Sequence, residues 1–167
     1  MLWYPVKGDP KTRVAPDVLV AFGRPKGDRG SYRTWEEENV APQVVFEILS
    51  PGNTTAEMAE KLRFYERYGV EEYYLYDPDA IVLQGWLRSR RKLKPIAEMQ
   101  GWRSPRLQIR FTLADGDLHL FRPDGEEILP PVEIGKALFA VRQRAEAAEQ
   151  RAERFAAKLR ELGVVLE

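Results

Sequence analysis

Residues 44–77 carry a pattern that few folds can accommodate. An apolar run, VVFEIL, is followed by a stretch whose apolar residues recur every three or four positions, and then by a second apolar run, EYYLYDPD. In the middle stretch Met58, Leu62, Tyr65 and Tyr68 share one stripe of a 3.6-residue period, which predicts an amphipathic helix. Thr54 or Thr55 can cap its start, and Gly69 stands where a helix ends. The flanking runs predict strands. A strand–helix–strand unit usually joins parallel strands through a right-handed crossover, so the middle of the chain is expected to be mixed α/β.

The other segments fit around that unit. Residues 1–4 read as the tail of a strand and KGDPKTR as a turn. Residues 14–22 predict a buried strand with Asp17, Leu19 and Ala21 on one face and Val18, Val20 and Phe22 on the other. Residues 23–41 are polar, basic early and acidic late, a loop with one helical turn at 34–38. Short strands fit 82–87, 107–113 and 118–121, with DGD as a hairpin turn between the last two. Near the C-terminus Leu138, Val141, Ala145, Ala148, Ala152, Phe155, Leu159 and Leu162 alternate spacings of three and four. That heptad seam predicts a coiled coil, although a lone amphipathic helix folded back onto its own domain would share much of it. With Leu138 at position a, the g positions Arg144, Arg151 and Lys158 would face one another in an antiparallel pair, whereas Arg144 and Glu149 attract across a parallel one. The expectation is a domain at 1–134 and a helix at 135–163 that forms a parallel homodimer through 138–162.

Two acids sit badly among these strands. Asp17 opens the run PDVLVAF and Glu47 interrupts VVFEIL. An ionised carboxylate among aliphatic strand neighbours loses hydration worth several kcal/mol, of order, unless a cation, hydrogen bonds or a pKa shift compensates. The chain has no cysteine and one histidine, His119, which excludes thiolate sites and the zinc hydrolases built on two or three imidazoles. A metal here must be held by oxygen, which points to Mg²⁺ or Mn²⁺. Asp17 and Glu47 on adjacent strands can share one such ion, with the Ile48 carbonyl as a third ligand. The plainer alternatives are a strand-initiating Asp17 satisfied by local amides and a Glu47 on a wetted edge strand. Lys61, on the predicted helix beside Leu62, leans toward the sheet and can hold a water or stabilise phosphoryl charge. Alternatively, it forms an ordinary i,i+4 surface pair with Glu57.

Lysine and arginine number 26, as do aspartate and glutamate, so any nucleic-acid binding must come from local clusters. Two stretches offer them: Arg24, Lys26, Arg29 and Arg33 in the loop, and Arg88, Arg90, Arg91, Lys92 and Lys94 after a strand. Solvated turns are the alternative. Trp35, Trp86 and Trp102 can stack on bases or fill core. No glycine loop of the phosphate-cradling kind is present, which argues against nucleotide hydrolysis. MLWYPVKGD lacks the apolar stretch of a signal peptide and no run approaches membrane-spanning length, so a cytoplasmic protein without membrane contact is expected.

The succession PDV, FEILSPGN and EKLRFYERYGVEEYYLYDP closely resembles the Uma-two family of restriction-endonuclease-like nucleases, in the PD-(D/E)XK superfamily, over about residues 14–123. The resemblance implies a three-layer, restriction-endonuclease-like mixed sheet and a Mg²⁺- or Mn²⁺-dependent endonuclease that hydrolyses DNA. It also implies metal ligation by Asp17 and Glu47 and a lysine that activates water. The E-x-K position is Leu49, and in this family the lysine moves to the helix, so the role falls on Lys61. Relatives carry a helix and further strands upstream, which makes Met1 an internal position by this comparison. Two rivals remain: a non-catalytic remnant that binds DNA or a full-length relative and assembles through its coiled coil, and an unrelated interaction module whose acids are structural.

Overall fold

The computed structural model of the protein describes residues 1–129, 139, 142–144 and 151. Along the chain run β1 (Leu2–Tyr4), β2 (Val18–Val20), β3 (Ser31–Arg33), a 3-10 turn (Thr34–Glu36), β4 (Val44–Ile48), α1 (Thr55–Arg67), β5 (Glu72–Asp77), β6 (Val82–Ser89), β7 (Lys92–Pro95), β8 (Arg110–Ala114) and β9 (Asp117–Phe121). The chain divides into units at 1–127 and 128–167. In the second, the described residues 139, 142–144 and 151 are helical. The heptad seam at 138–162, its pairing into a homodimer and the boundary at 134–135 otherwise fall outside the described residues.

β4 and β5 pair in parallel, with Glu47 opposite Leu75, and α1 connects them as expected. They sit inside a mixed sheet of order β2-β4-β5-β6-β7 whose other pairings are antiparallel. α1 begins with Thr54, whose hydroxyl accepts the Glu57 amide at 3.2 Å. Its end is a Schellman turn: Gly69 takes φ +94°, and the Val70 amide reaches back to the Tyr65 carbonyl at 3.1 Å. Arg88 completes that end by donating to the carbonyls of Tyr65, Glu66 and Val70.

Strand alternation divides the core in two. Val45, Tyr73 and Leu75 pack with Trp3, Tyr32, Met58, Tyr65 and Val70 on the α1 side. Val44, Tyr74 and Leu83 pack with Met99 and Phe111 on the other face, against the segment carrying the β8–β9 hairpin. That hairpin turns through Asp115 and Gly116, both at positive φ, as the DGD motif requires. A small parallel pair, β1–β3, completes the α1 side through Trp3 and Tyr32.

The structure corrects several element boundaries. The strand expected over 14–22 shrinks to three residues at the sheet edge, where Val18 is 46% exposed, and Val14 instead bridges Trp3. Pro16, with no N–H to give, separates the two pairings. Residues 107–109 precede β8 rather than joining it, because Gln108 adopts φ +60°. β3 and β7 were not expected. The basic run after β6 is the turn and returning strand of a hairpin.

Candidate metal and hydrolytic site

Glu47 occupies the α1-facing side of β4 and is only 2% exposed. Burial raises its pKa, opposed by hydrogen bonds from Tyr65 and Lys61. Its Oε2 accepts from Lys61 Nζ at 2.9 Å, and its Oε1 accepts from the Tyr65 hydroxyl. Lys61 and Tyr65 are separated by one helical turn, so both side chains leave α1 on the face that packs against β4. The i,i+4 pair with Glu57 is looser, at 3.9 Å. Burial and the neighbouring Glu47 charge hold the Tyr65 hydroxyl far above the usual phenol range.

Asp17 lies one residue beyond the Val18–Phe46 pairing, hence across the ladder from Glu47. It is exposed, unlike Glu47, because β2 is an edge strand that begins only at Val18. Its Oδ2 accepts the Ile48 amide at 2.7 Å. Within a strand the N–H and C=O of one residue point to the same side, so the Ile48 carbonyl also faces the Asp17 edge. The Leu49 amide, one residue on, goes the opposite way to Tyr76 O at 2.8 Å. Among the described residues no group of three or more histidine, cysteine, aspartate or glutamate side chains is placed to hold a metal ion. A cleft of about 410 Å³ opens at the ends of β4 and β5, between Leu49, Ser50, Asn53, Asp77 and Asp79.

The residues expected to contact DNA divide sharply. Arg24 pairs with Glu38 at 2.8 Å, Arg29 with Glu37 at 2.6 Å and Arg33 with Glu36 at 3.0 Å. The acidic end of the loop thus neutralises its basic start. Arg88 is committed to the α1 terminus and Lys92 bonds Glu66 at 2.7 Å. Among the described residues Lys26, Arg90 and Arg91 have no acidic partner within 4.0 Å. Trp86 stacks on Tyr73 and Trp102 bonds the Tyr74 hydroxyl at 3.1 Å, so both are structural. Trp35 lines a recess with Tyr4 and Arg33.

From sequence alone Tyr65 is indistinguishable from plain core because it lies on the apolar stripe, and its bond to Glu47 emerges only in the fold. The spacing of four between Lys61 and Tyr65 is the available signal.

Residues 3–118 match the family model described as "Uma2: Putative restriction endonuclease". A solved protein described as "a putative nuclease belonging to DUF820 from Anabaena variabilis ATCC 29413" is similar at 19% identity and a TM-score of 0.39. That alignment covers 56% of this chain and 51% of the other, so the chain spans about half the length of that relative. No protein of curated function matches. Among the described residues no helix is long and apolar enough to cross a membrane.

Proposed function

The chain belongs to the Uma2 family of restriction-endonuclease-like proteins, and from that premise we propose that it hydrolyses DNA phosphodiester bonds in a magnesium- or manganese-dependent reaction at Asp17, Glu47 and Lys61. The observation that carries the proposal is a convergence of three elements: Lys61 of α1 lies 2.9 Å from Glu47 of β4, and Asp17, just before β2, is bonded to the next residue of β4.

The donors suit a hard divalent cation. Asp17, Glu47 and the Ile48 carbonyl offer oxygen alone, and each Glu47 oxygen keeps a lone pair after accepting its one hydrogen bond. When bound, such an ion supplies Lewis-acid polarisation of phosphoryl oxygens and acidifies a water. Lys61 keeps two N–H donors beyond the one given to Glu47, and these orient the attacking water or hold an equatorial phosphoryl oxygen. Glu47 in turn fixes the ammonium through a charge-assisted bond. Hydrolysis forms the bond from the water oxygen to phosphorus and breaks the bond to the leaving sugar oxygen, which takes up a proton. Lys26, Arg90 and Arg91 supply the backbone contacts.

Plasmid nicking with Mg²⁺ or Mn²⁺ tests this reading. Wild type nicks, and Glu47→Ala and Lys61→Met do not; a wild-type protein inert with both metals overturns it.

One observation favours the non-catalytic alternative. The Glu47 charge is already paired with Lys61, and its other oxygen is hydrogen-bonded by Tyr65, so the fold needs no ion to tolerate it. DNA retention that is indifferent to metal, without nicking, selects that reading.

A further inference from the structure

Both oxygens of Glu47 are held by donors from one helix face: Lys61 Nζ on Oε2 and the Tyr65 hydroxyl on Oε1. The two donors differ in kind. Lysine reaches its partner through a flexible stem, whereas the Tyr65 ring is fully buried and packed on several sides. It lies parallel to Trp3, with planes 2° apart and centroids at 6.3 Å, and tilts against Tyr73 at 5.0 Å. Trp3 is fixed in turn by its indole N–H, which bonds Thr34 Oγ1 at 2.9 Å.

Burial alone does not create this bond. Among the described residues the hydroxyl of Tyr73, a neighbouring ring in the same cluster, is likewise buried but bonds no protein group, so the aim of Tyr65 at Glu47 is particular to that side chain.

We infer that Tyr65 is a positioning residue, which locks the Glu47 carboxylate beside Asp17 and so acts on the cation through Glu47. The inference rests on the metal-dependent reading above. A glutamate with three free torsions must be ordered before it can bind an ion well, and a rigid donor on one oxygen does that ordering in advance.

The test compares wild type, Tyr65→Phe, Glu47→Ala and the double variant, all as the full chain. Tyr65→Phe keeps the ring and its stacking. Mn²⁺ binding, followed by the electron paramagnetic resonance signal of free Mn²⁺, weakens about ten- to a hundredfold in Tyr65→Phe, the usual effect of losing an outer-shell partner. Glu47→Ala abolishes it. In parallel, urea unfolding without metal shows the two substitutions to be non-additive, because each removes the bond from the Tyr65 hydroxyl to Glu47. Unchanged Mn²⁺ affinity in Tyr65→Phe overturns the inference while leaving the metal reading intact. If wild type binds no Mn²⁺, the metal reading falls, and the urea cycle then decides: coupling upholds the locking of Glu47 by Tyr65, and additivity overturns it.

Discussion

Asp17 Oδ2 accepts the backbone amide of Ile48 at 2.7 Å, so the carboxylate at the start of β2 is bonded to the residue that follows Glu47. This ties a charged group to a structural duty, and the two can be separated. An asparagine oxygen can accept the same amide without carrying charge. Asp17→Asn is expected to stay within about 1 kcal/mol of wild type, whereas Asp17→Ala loses the bond and costs about 1 kcal/mol or more. Both should lose Mn²⁺ binding. Urea unfolding and Mn²⁺ titration of the two variants check this.

Trp3 connects β1 to the site through Tyr65. It is fully buried, and Trp3→Ala removes its stacking and its bond to Thr34. The expected cost is about 3–5 kcal/mol, as for other large core aromatics. The shift of the urea midpoint measures it.

A second buried acid, Glu72, lies on the other face of the sheet. It accepts from the Tyr74 hydroxyl, from Ser104 Oγ and from the Arg106 amide, which fastens the segment around residues 104–106 to β5. Glu72→Gln turns an acceptor into a donor facing donors, at a cost of about 1–3 kcal/mol. Hydrogen exchange at the Arg106 amide should accelerate. An unchanged rate would show that the carboxylate does not hold this segment.

His119 bonds Glu127 through Nδ1 and approaches the Ala114 carbonyl at 3.1 Å through Nε2. The imidazolium can donate to both, and the bond to Glu127 raises the histidine pKa. A folded pKa above the unfolded value stabilises the fold fully below about pH 6.5, and that stabilisation is lost as pH rises through the raised folded value. Thermal midpoints of wild type and His119→Phe should therefore converge as the solution is made alkaline. Parallel curves would show that the histidine titrates alike in both states.

Lys26, Arg90 and Arg91 should matter to DNA in a way that Arg24 and Arg29 do not. Replacing Arg90 and Arg91 by alanine is expected to weaken binding equally across sequences. On duplex DNA it should reduce the salt-dependence slope by about 0.9 for each phosphate that is no longer neutralised. Fluorescence anisotropy at several salt concentrations measures it. Arg29→Ala should disturb loop stability first, since its partners are Glu37 and the Pro25 carbonyl.

The parts legible in the sequence were those set by local periodicity. The helical stripe through Met58 and Tyr65, the Gly69 terminus and the parallel partners at 44–48 and 72–77 follow from residue spacing. The depth of Glu47 was legible too, since it interrupts an apolar run. What stayed hidden depends on residues far apart in the chain. β3 and β7 are three and four residues long and polar on one face, too short for a period to register. The pairing of Arg24 and Arg29 with Glu38 and Glu37 requires the loop to fold on itself, so composition suggested a patch where there are mostly closed pairs. The exposure of Asp17 reflects a position at the rim of the sheet, which no local pattern encodes.

β2 contributes three residues to the sheet, whereas β4, α1 and β5 form one continuous packed block. Fraying is easiest where a short outer strand meets water. Peeling β2 away would carry off Asp17 while Glu47, Lys61 and Tyr65 remained assembled. The acid pair thus has a fixed half and a detachable half, and occupancy by an ion would be reported first by amide protection at Val18 and Val20.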